Sequence, residues 1–365
     1  HYQSLKMNKA FYDSVKYERR LVTTAESFNL DNYQLNFVNG TLNLKTKEFC
    51  RHDANNYITK IVHIDYNSEA TCPRFQKFLD EIMAGDEERI RFLQRCLGYS
   101  ITGDTREQVL FVCYGPGANG KTVLLETFMN ILGADYTANI PSASILENHY
   151  NNSINSDIAA LKDIRFVKVN EISQYRYLDE SKVKELSGCD KITARYLYQD
   201  YFTYTPKFKL WLVTNHKPKI RGTDEGIWRR LVFIPFTVVI PSEQQDTCLM
   251  QKLLDEEREG IIAWIVNGCY EWMRIGLAIP QSFEDQKADY RIDRDVFKSF
   301  LEETIVSENN SSIAANVLYE SYKNWAEKKG EQAMSITAFG NEMSERNYQK
   351  KRKSDGFYYL NIRLK

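Results

Sequence analysis

The sequence predicts an α/β fold centred on a mostly parallel β-sheet. From about Gln108 onward, short β-rich apolar runs alternate with helical stretches, a pattern typical of parallel strands joined by crossover helices. The predicted strands are residues 109–114, 166–169, 210–213 and 231–234. The first run also leads directly into a glycine-rich loop and then into a helical run over 123–132. A strand, a loop and a helix are therefore expected at the start of the core.

The length of the chain predicts more than one domain. With 365 residues, it exceeds the size at which a single hydrophobic core usually stops growing. Hydrophobic residues at 43% and charged residues at 27% exclude a mainly disordered chain. Because the chain begins at His1, we expect it to be part of a longer protein. We expect an N-terminal accessory and helical oligomerisation domain (1–105), the α/β core (106–285) and a C-terminal domain (286–365).

The first hundred residues carry a hairpin pattern followed by two amphipathic helices. Asn39-Gly40 between short apolar runs is the strongest short-range signal for a hairpin. Apolar residues then recur at helical spacing over 75–82 and again over 90–97. Much further along, a charged stretch at 285–295 favours a linker before the C-terminal domain.

Cysteine usage and hydropathy predict a cytoplasmic protein. The seven cysteines are scattered, without C-x-x-C pairs or histidine clusters at metal-ligand spacing, and predict reduced, mostly packed thiols. No apolar run reaches the roughly 20 residues of a membrane helix, and no signal-peptide pattern opens the chain. We therefore expect no membrane partner.

The C-terminal segment combines a basic cluster with the order helix, helix, hairpin. The formal net charge of −1 does not itself indicate a nucleic-acid partner, but a balanced total can hide a local basic face. Apolar spacing predicts a helix over 317–325, a second helix starting at Ser335, and a strand over 357–362. This order is typical of a winged helix docking on double-stranded DNA; a small protein-binding or structural cap is the alternative. The expected phosphate contacts are Lys350, Lys351, Arg352 and Lys353.

The glycine-rich loop fits the phosphate-binding pattern G-x-x-x-x-G-K-[ST], in the strand-then-helix context that this pattern requires. Glycines let successive backbone N–H groups curl around a phosphate, and the helix N-terminus adds its positive dipole. Lys121 would bind the β- and γ-phosphates of ATP, and the Thr122 hydroxyl would bind Mg²⁺. A chance glycine-rich turn is the alternative. The expected nucleotide contacts are Gly115, Pro116, Gly117, Ala118, Asn119, Gly120, Lys121, Thr122 and Val123.

Two polar residues follow predicted strands in the way that catalytic groups of ATPases do. Glu171 comes just after an apolar run, so we expect its carboxylate at the carboxyl edge of the sheet, where it would activate water and share in Mg²⁺ binding. Asn215 follows the next run and would hold the attacking water and the γ-phosphate with its amide. The alternatives are a solvated glutamate at a strand exit and an Asx-turn before His216.

Paired arginines, Arg229 and Arg230, stand immediately before the last predicted strand of the core. Hydrolysis of a γ-phosphate is often assisted by an arginine from a neighbouring subunit. Because adjacent residues cannot both point the same way, we expect one arginine to act as this finger and the other to be structural. Ordinary surface arginines are the alternative.

In order and spacing, these elements resemble a superfamily 3 helicase, specifically the helicase part of the phage, plasmid and poxvirus-type primase-helicases. The resemblance extends over residues 39–236 and is carried most specifically by KELSGCDKITAR at 184–195 and LVTNHKP at 212–218. It implies a P-loop, AAA+-like ATPase core. The sequence also resembles helicases of staphylococcal mobile elements, but no motif supports this narrower resemblance.

The resemblance assigns roles around the ATP site. It makes 115–122 the Walker A loop, places Glu171 in Walker B and makes Asn215 sensor 1. Lys184 would act at the intersubunit ATP site, with Arg230 or Arg229 as the arginine finger. Many relatives carry two adjacent acids in Walker B, whereas Asn170 stands first here, which leaves the division between Mg²⁺ binding and water activation open.

The resemblance also implies a DNA-gripping hairpin before the sensor strand. Lysine and arginine interleaved with tyrosine offer charge to phosphates and flat faces to bases, as single-strand binding needs. A solvated hairpin is the alternative. The residues concerned are Lys191, Arg195, Tyr196 and Tyr198.

These features together imply an ATP-dependent replicative DNA helicase, a homo-oligomeric ring expected to be a hexamer, that translocates on single-stranded DNA for a phage, plasmid or other mobile element. The rival interpretation is an ATP-switched origin-binding or helicase-loading protein without unwinding activity. A nucleotide-binding module of a virion or packaging assembly is a third. Translocation polarity and the recognised DNA site stay open.

Overall fold

The computed structural model describes residues 5–18, 23–147, 156–170, 176–220, 224–293, 296–330 and 333–365. The chain divides into two compact units, 1–287 and 288–365. The predicted accessory domain and α/β core lie within the first unit, and the predicted domain boundaries stay predictions.

The helices and strands of the described residues follow in chain order. The helices are α1 (Leu5–Val15), α2 (Pro73–Ile82), α3 (Glu87–Ser100), α4 (Lys121–Leu132), α5 (Ser156–Ala159), α6 (Glu180–Leu186), α7 (Glu225–Trp228), α8 (Leu249–Glu256), α9 (Arg258–Ile275), α10 (Gln281–Asp293), α11 (Val296–Thr304), α12 (Ala315–Lys328) and α13 (Ile336–Glu345). The strands are β1 (Gln34–Phe37), β2 (Gly40–Asn43), β3 (Phe49–Cys50), β4 (Leu110–Tyr114), β5 (Thr137–Ile140), β6 (Phe166–Val169), β7 (Ile192–Ala194), β8 (Phe202–Tyr204), β9 (Lys209–Thr214), β10 (Leu231–Pro235), β11 (Ile305–Ala314), β12 (Lys350–Lys353) and β13 (Gly356–Leu364).

The N-terminal part of the first unit contains the predicted hairpin. Strands β1, β2 and β3 form an antiparallel sheet, and burial alternates along β1 as expected for a strand with one face on a core. Phe37 pairs with Gly40, so the hairpin is confirmed. Its two turn residues are Val38 and Asn39, because the glycine of the Asn-Gly pair already begins β2.

The two predicted amphipathic helices are α2 and α3. The Asp86 side chain caps α3 by accepting hydrogen bonds from the backbone N–H groups of Glu88 and Arg89. Helix α3 packs closely on α9, because a Cβ added at Gly98 would lie only 2.0 Å from the backbone nitrogen of Cys269. The backbones of α3 and α9 therefore lie in direct contact at Gly98, where there is no room for a side chain.

The core of the first unit is a five-stranded sheet in the order β10-β4-β9-β6-β5, with every neighbouring pair parallel. The prediction of a mostly parallel sheet is confirmed, and each of the four predicted strands is present. Buried rings of Phe111, Phe166 and Trp211 stack across the central strands, 4.4 and 5.6 Å apart. Edge strand β5 was missed because its sequence, TANI, contains no continuous apolar run.

The stretch predicted as a linker is instead helical through Asp293. Helix α10 buries Phe283 against the core of the first unit. Charges of opposite sign pair along its surface, as Lys287 does with Glu284 three residues earlier at 2.7 Å. The boundary between the two compact units falls within this stretch, as the linker prediction requires, but its helical structure was not predicted because a high charge density does not distinguish a loop from an exposed helix face.

The second unit contains both predicted helices, α12 and α13, and the basic hairpin β12–β13. The Ser335 hydroxyl caps α13 by accepting from the backbone N–H of Ala338 at 3.2 Å, as predicted. Strand β11 completes a sheet in the order β11-β13-β12. It was missed because its central residues, SENNSS, are polar, and its register with β13 shifts between Ser307 and Ser312.

Candidate functional site

The predicted phosphate loop, residues 115–120, connects the end of β4 to the start of α4. Gly115 has φ of +148°, and a Cβ there would lie 2.1 Å from the backbone oxygen of Phe236. Gly120 has φ of +81°, and a Cβ there would lie 2.5 Å from a methyl carbon of Ile82. Both positions therefore require glycine. A Cβ on Gly117, by contrast, would meet nothing within 4 Å.

The side chain of Lys121 is buried beneath this loop, at 4% exposure. Its ammonium group donates to the backbone oxygens of Gly115 and Pro116 at 2.7 and 3.2 Å, and to Oδ1 of Asn119 at 2.9 Å. Asn119 is held in turn by the backbone oxygen of Phe236, to which its Nδ2 donates at 3.0 Å. Three oxygen acceptors of the loop thus hold the Lys121 ammonium group in a fixed position.

A cavity of about 370 Å³ lies at the carboxyl edge of the sheet. It brings most of the predicted nucleotide contacts together with Asn215, which follows β9, and with Asn170, which follows β6. Gly115 and Pro116 do not line it but supply carbonyls to Lys121. Glu171, predicted as the catalytic carboxylate, lies outside the described residues. The cavity is lined by Gly117, Ala118, Asn119, Gly120, Lys121, Thr122, Val123, Lys168, Asn170, Val213, Thr214 and Asn215.

Sequence reasoning missed Lys168, a second lysine in this cavity. It lies on β6 and forms a hydrogen-bonded ion pair with Glu126 of α4. A charged residue inside the apolar run FVKV was the available signal, because an apolar strand rarely carries a lysine without a specific partner.

A second cavity, of about 570 Å³, adjoins the same loop. It shares Ala118, Gly120, Thr122 and Val123 with the first and extends to α2 and to the segment before α8. The loop is therefore bordered by space on two sides.

Arg229 and Arg230 lie at the opposite, amino edge of the sheet. Arg229 is exposed, and its guanidinium donates to Oε1 of Gln108 at 3.3 Å. Arg230 is half-buried and donates to the backbone oxygen of Gln108 at 3.4 Å. Burial, with a further contribution from Arg229, lowers the pKa of Arg230, but a guanidinium stays charged at any physiological pH.

Lys184 lies near these arginines rather than near the loop. Its ammonium pairs with the carboxylate of Asp224, the residue that caps α7 just before Arg229. Lys184 is therefore brought to the same edge of the sheet as the paired arginines and is not placed in the cavity of its own chain.

The segment predicted to grip DNA forms the hairpin β7–β8. Tyr198 at its tip is fully exposed with φ of +62°, and Lys191 before β7 is exposed. The Arg195 guanidinium lies 4.7 Å from the centre of the exposed Tyr201 ring. Tyr196 donates its hydroxyl to the backbone oxygen of Ala159 at 3.1 Å, so it also fastens the hairpin to α5.

The four basic residues of β12 are all exposed. Lys350 and Arg352 lie over the ring of Phe357 on β13, at 4.8 and 5.9 Å. Lys353 donates to the Ser312 hydroxyl at 2.8 Å. Lys351 is on the same strand. The structure therefore presents a continuous positive strand on the surface of the second unit.

The surroundings of β4 are apolar and hold neutral groups. Burial raises the pKa of the Cys113 thiol and raises the pKa of Tyr114 to about 12.

All seven cysteines are free thiols, and four of them are buried, in agreement with the prediction. Among the described residues, no group of three histidine, cysteine or acidic residues could hold a metal ion. Within that same part of the chain, no helix has the length and apolar character needed to cross a membrane.

Family models match three parts of the chain. A model described as "D5 N terminal like" matches residues 3–84, a family of unknown function matches residues 113–230, and "Poxvirus D5 protein-like" matches residues 293–362. The solved structure titled "The A form apo structure of NrS-1 C terminal region-CTR(305-718)" is similar at a TM-score of 0.48 and 13% identity, covering 83% of this chain and 78% of that chain. Likeness at that level supports no inference about function.

Viral proteins of related sequence carry helicase and primase names. The chain is 28% identical to "Putative helicase L207/L206" of Acanthamoeba polyphaga mimivirus, covering 81% of this chain and 33% of that protein. It is 24% identical to "Putative helicase 121R" of Invertebrate iridescent virus 3, covering 79% and 34%. It is 26% identical to "Putative primase C962R" of African swine fever virus (isolate Warthog/Namibia/Wart80/1980), covering 53% and 21%.

The chain spans about a third of the length of the first two of these relatives. D5-type family models match residues 3–84 and 293–362, and the chain is similar to viral proteins named as helicases and primases, so the predicted resemblance to the poxvirus-type primase-helicases of superfamily 3 is confirmed.

Proposed function

We propose that this chain is an ATP-hydrolysing DNA helicase of superfamily 3, and that it acts as a homo-oligomeric ring on single-stranded DNA during replication. The observation that carries the proposal is the cavity at the carboxyl edge of the sheet, where the glycine-rich loop, Lys121 and Asn215 converge. The helicase names of its relatives support the same activity.

The loop fits a triphosphate, which makes it a P-loop in this proposal. Two positions without room for a side chain fix the path of the loop, and the N-terminus of α4 adds its positive dipole. The oxygens that now hold Lys121 can be replaced by those of the β- and γ-phosphates. Thr122 and Glu171 would hold Mg²⁺, which neutralises charge on the phosphates. Asn215 would orient the attacking water.

The separation between Arg229 and the loop supports a site shared between copies of the chain, as a ring would provide. Arg229 precedes β10, whereas the loop follows β4, the parallel neighbour of β10. A strand of five residues spans roughly 16 Å, beyond the reach of an arginine side chain. Arg229 can therefore reach a γ-phosphate only on another copy of the chain.

We assign the finger to Arg229 and a structural role to Arg230. Arg229 is exposed, whereas the guanidinium of Arg230 is half-buried against Gln108. Lys184, on the same edge, would face the neighbouring subunit's nucleotide with Arg229. This arrangement gives each ATP one half of its site from each of two subunits. We expect the closed ring to be a hexamer.

The two basic hairpins supply the proposed DNA contacts. In the ring, Lys191, Arg195 and the exposed ring of Tyr198 on β7–β8 would track a single strand, with Tyr196 bracing the hairpin. In the second unit, α13 and the basic strand β12 would dock on duplex DNA as a winged helix.

A strand-displacement assay tests the proposal. The full chain, ATP and Mg²⁺ are mixed with a forked DNA duplex, and release of the labelled strand is measured beside phosphate release and native mass. We expect ATP-dependent unwinding, hydrolysis stimulated by single-stranded DNA and a closed oligomer.

The other outcomes discriminate among the interpretations. Hydrolysis without strand separation would favour the origin-binding or loading protein. A chain that stays monomeric and inert toward ATP with single-stranded DNA at high concentration would overturn the proposal.

A further inference from the structure

Helix α4 and strand β6 meet at three successive levels that lead from the core to the cavity. At the lowest level, the rings of Phe128 and Phe166 pack 4.7 Å apart. At the middle level, Glu126 of α4 pairs with Lys168 of β6. At the top, Thr122 and Asn170 line the cavity. Alternate residues of a strand share a face, so the core packing directs the Lys168 side chain upward to the cavity side of α4.

The pair of Lys168 and Glu126 is shielded but remains accessible from the cavity. The side chain of Lys168 is 15% exposed and that of Glu126 is 30% exposed. The Lys168 side chain lines the cavity. Because an ammonium group has three donors, Lys168 can bind a further acceptor while it still contacts Glu126.

The position of Lys168 indicates which acceptor this would be. The glycine-rich loop and Lys121 follow β4, whereas Lys168 lies two strands away in the sheet, with β9 between them. With the ribose and base in the second cavity of about 570 Å³, which extends from the loop to α2 and the segment before α8, a triphosphate whose β-phosphate lies in the loop would extend toward β9 and β6 with its γ-phosphate. Lys168 therefore lies on the side of the cavity that the γ-phosphate would occupy, with Asn170 and Asn215.

We propose that Lys168 binds the γ-phosphate of the nucleotide and that Glu126 positions its ammonium group for that contact. This inference rests on the proposed nucleotide-binding function and deepens it. Two lysines would then recognise the triphosphate: Lys121 under the loop, and Lys168 from the strand across β9. Lys168 makes the site sensitive to whether the γ-phosphate is present.

The test compares ATP with ADP. Binding of a non-hydrolysable ATP analogue and of ADP, each with Mg²⁺, is measured by calorimetry on the wild-type chain and on Lys168→Met. Since hydrogen bonds between charged groups are the strong ones, we expect Lys168→Met to weaken ATP binding by about tenfold. ADP binding should change by less than about twofold. Lys168→Arg, which keeps the charge, should retain most of the preference for ATP.

Two further variants separate this contact from a purely structural role. Lys209→Met removes a buried lysine at the opposite edge of the sheet and should leave the ratio of ATP to ADP affinity unchanged. The double variant Lys168→Met with Glu126→Gln leaves no unpaired carboxylate, so it keeps the test valid if the single variant unfolds.

The outcomes are distinct. A wild-type chain that binds neither nucleotide would refute the proposed function itself. If the wild-type chain binds nucleotide and the ratio of ATP to ADP affinity is unchanged in Lys168→Met and in the double variant, the role of Lys168 is refuted. The proposed function would then still stand. A selective loss of ATP affinity, restored by Lys168→Arg, would support it.

Discussion

The two edges of the central sheet use buried lysines in opposite ways. At the carboxyl edge, Lys121 is held by oxygens of its own loop and borders a cavity of about 370 Å³. At the amino edge, Lys209 is 2% exposed and donates to the backbone oxygens of Thr102, Asp104 and Lys207. Both lysines satisfy carbonyl groups, but only Lys121 does so where a ligand can take over its bonds.

The residues around Lys209 show how hydrogen bonds from buried basic side chains connect the amino edge of the sheet to other elements. The nearby Arg165 is 6% exposed and donates to the backbone oxygens of Ile101 and Gln34, each at 2.7 Å. Together the two side chains fasten β6 and β9 to the end of α3 and to β1. Hydrogen bonds from buried basic side chains thus hold one edge of the sheet together, and at the other edge the same kind of bond would hold Lys121 ready for the proposed phosphate.

The largest effect is expected for Lys121→Met. Loss of the ammonium group removes positive charge from the site proposed for the β- and γ-phosphates, so ATP turnover should fall by roughly 10³-fold or more. Phosphate release measures this. Lys209→Met is the matched control, and it should lower thermal stability while it leaves turnover per folded molecule within a few-fold. Equal turnover in Lys121→Met and wild type would contradict the comparison.

The next largest effect is expected for Arg229→Ala. If this side chain completes the neighbour's site, ATP hydrolysis should fall on the order of 10³-fold while ATP binding is kept. Arg230→Ala should instead mainly lower stability, because its guanidinium is half-buried against Gln108. Mixing Arg229→Ala with Lys121→Met subunits should restore some hydrolysis. The reverse pattern, with hydrolysis lost only in Arg230→Ala, would exchange the two roles.

The loop itself is tested by a pair of glycine substitutions. A Cβ at Gly115 would lie 2.1 Å from a backbone oxygen and at a strained φ, whereas a Cβ at Gly117 would meet nothing within 4 Å. Gly115→Ala should therefore lower the free energy of unfolding by about 1–3 kcal/mol, and Gly117→Ala should leave it nearly unchanged. Denaturant unfolding measures both, and similar values for the two variants would contradict the packing of the loop.

The pH dependence of stability sharpens the contrast at Lys209. Burial lowers the pKa of Lys209 well below its ordinary value of 10.5. Between the lowered pKa and 10.5, the unfolded chain binds more protons at this site than the folded chain, so this group makes stability rise with pH. Lys209→Met removes that contribution. The difference in free energy of unfolding between wild type and variant should therefore increase from pH 7 to pH 10, and parallel curves would contradict it.

The smallest effect is expected in the second unit. If Lys351 and Arg352 each contact one phosphate, replacing both by alanine should reduce the slope of log affinity for duplex DNA against log salt by roughly 0.9 per contact. Lys323→Ala on α12, where Lys323 pairs with Glu320 at 3.3 Å, is the control. An unchanged slope in the double variant would favour the alternative of a structural cap.

The sequence determined the elements that depend on local pattern. Apolar runs and helical spacing located the four central strands, the pairs α2–α3 and α12–α13, and the Ser335 cap, because periodicity and capping act within a few residues. The glycine loop was located by the spacing of its residues, whereas the contacts that require glycine at 115 and 120, with Phe236 and Ile82, come from distant segments. The edge strand β5 and the polar strand β11 were missed because only their partners in the sheet make them strands.

Tertiary structure alone decided which polar residues share a surface. It joined Lys168 to the loop at one edge, beside Asn215, which its place after a strand had already predicted there, and it placed Lys184 and Arg229 at the other. No local pattern carries this information, because the order of strands in the sheet, β10-β4-β9-β6-β5, differs from their order in the chain. Sheet order fixes which strand ends are neighbours, and that order arises from pairing between residues 29 to 121 positions apart in the chain.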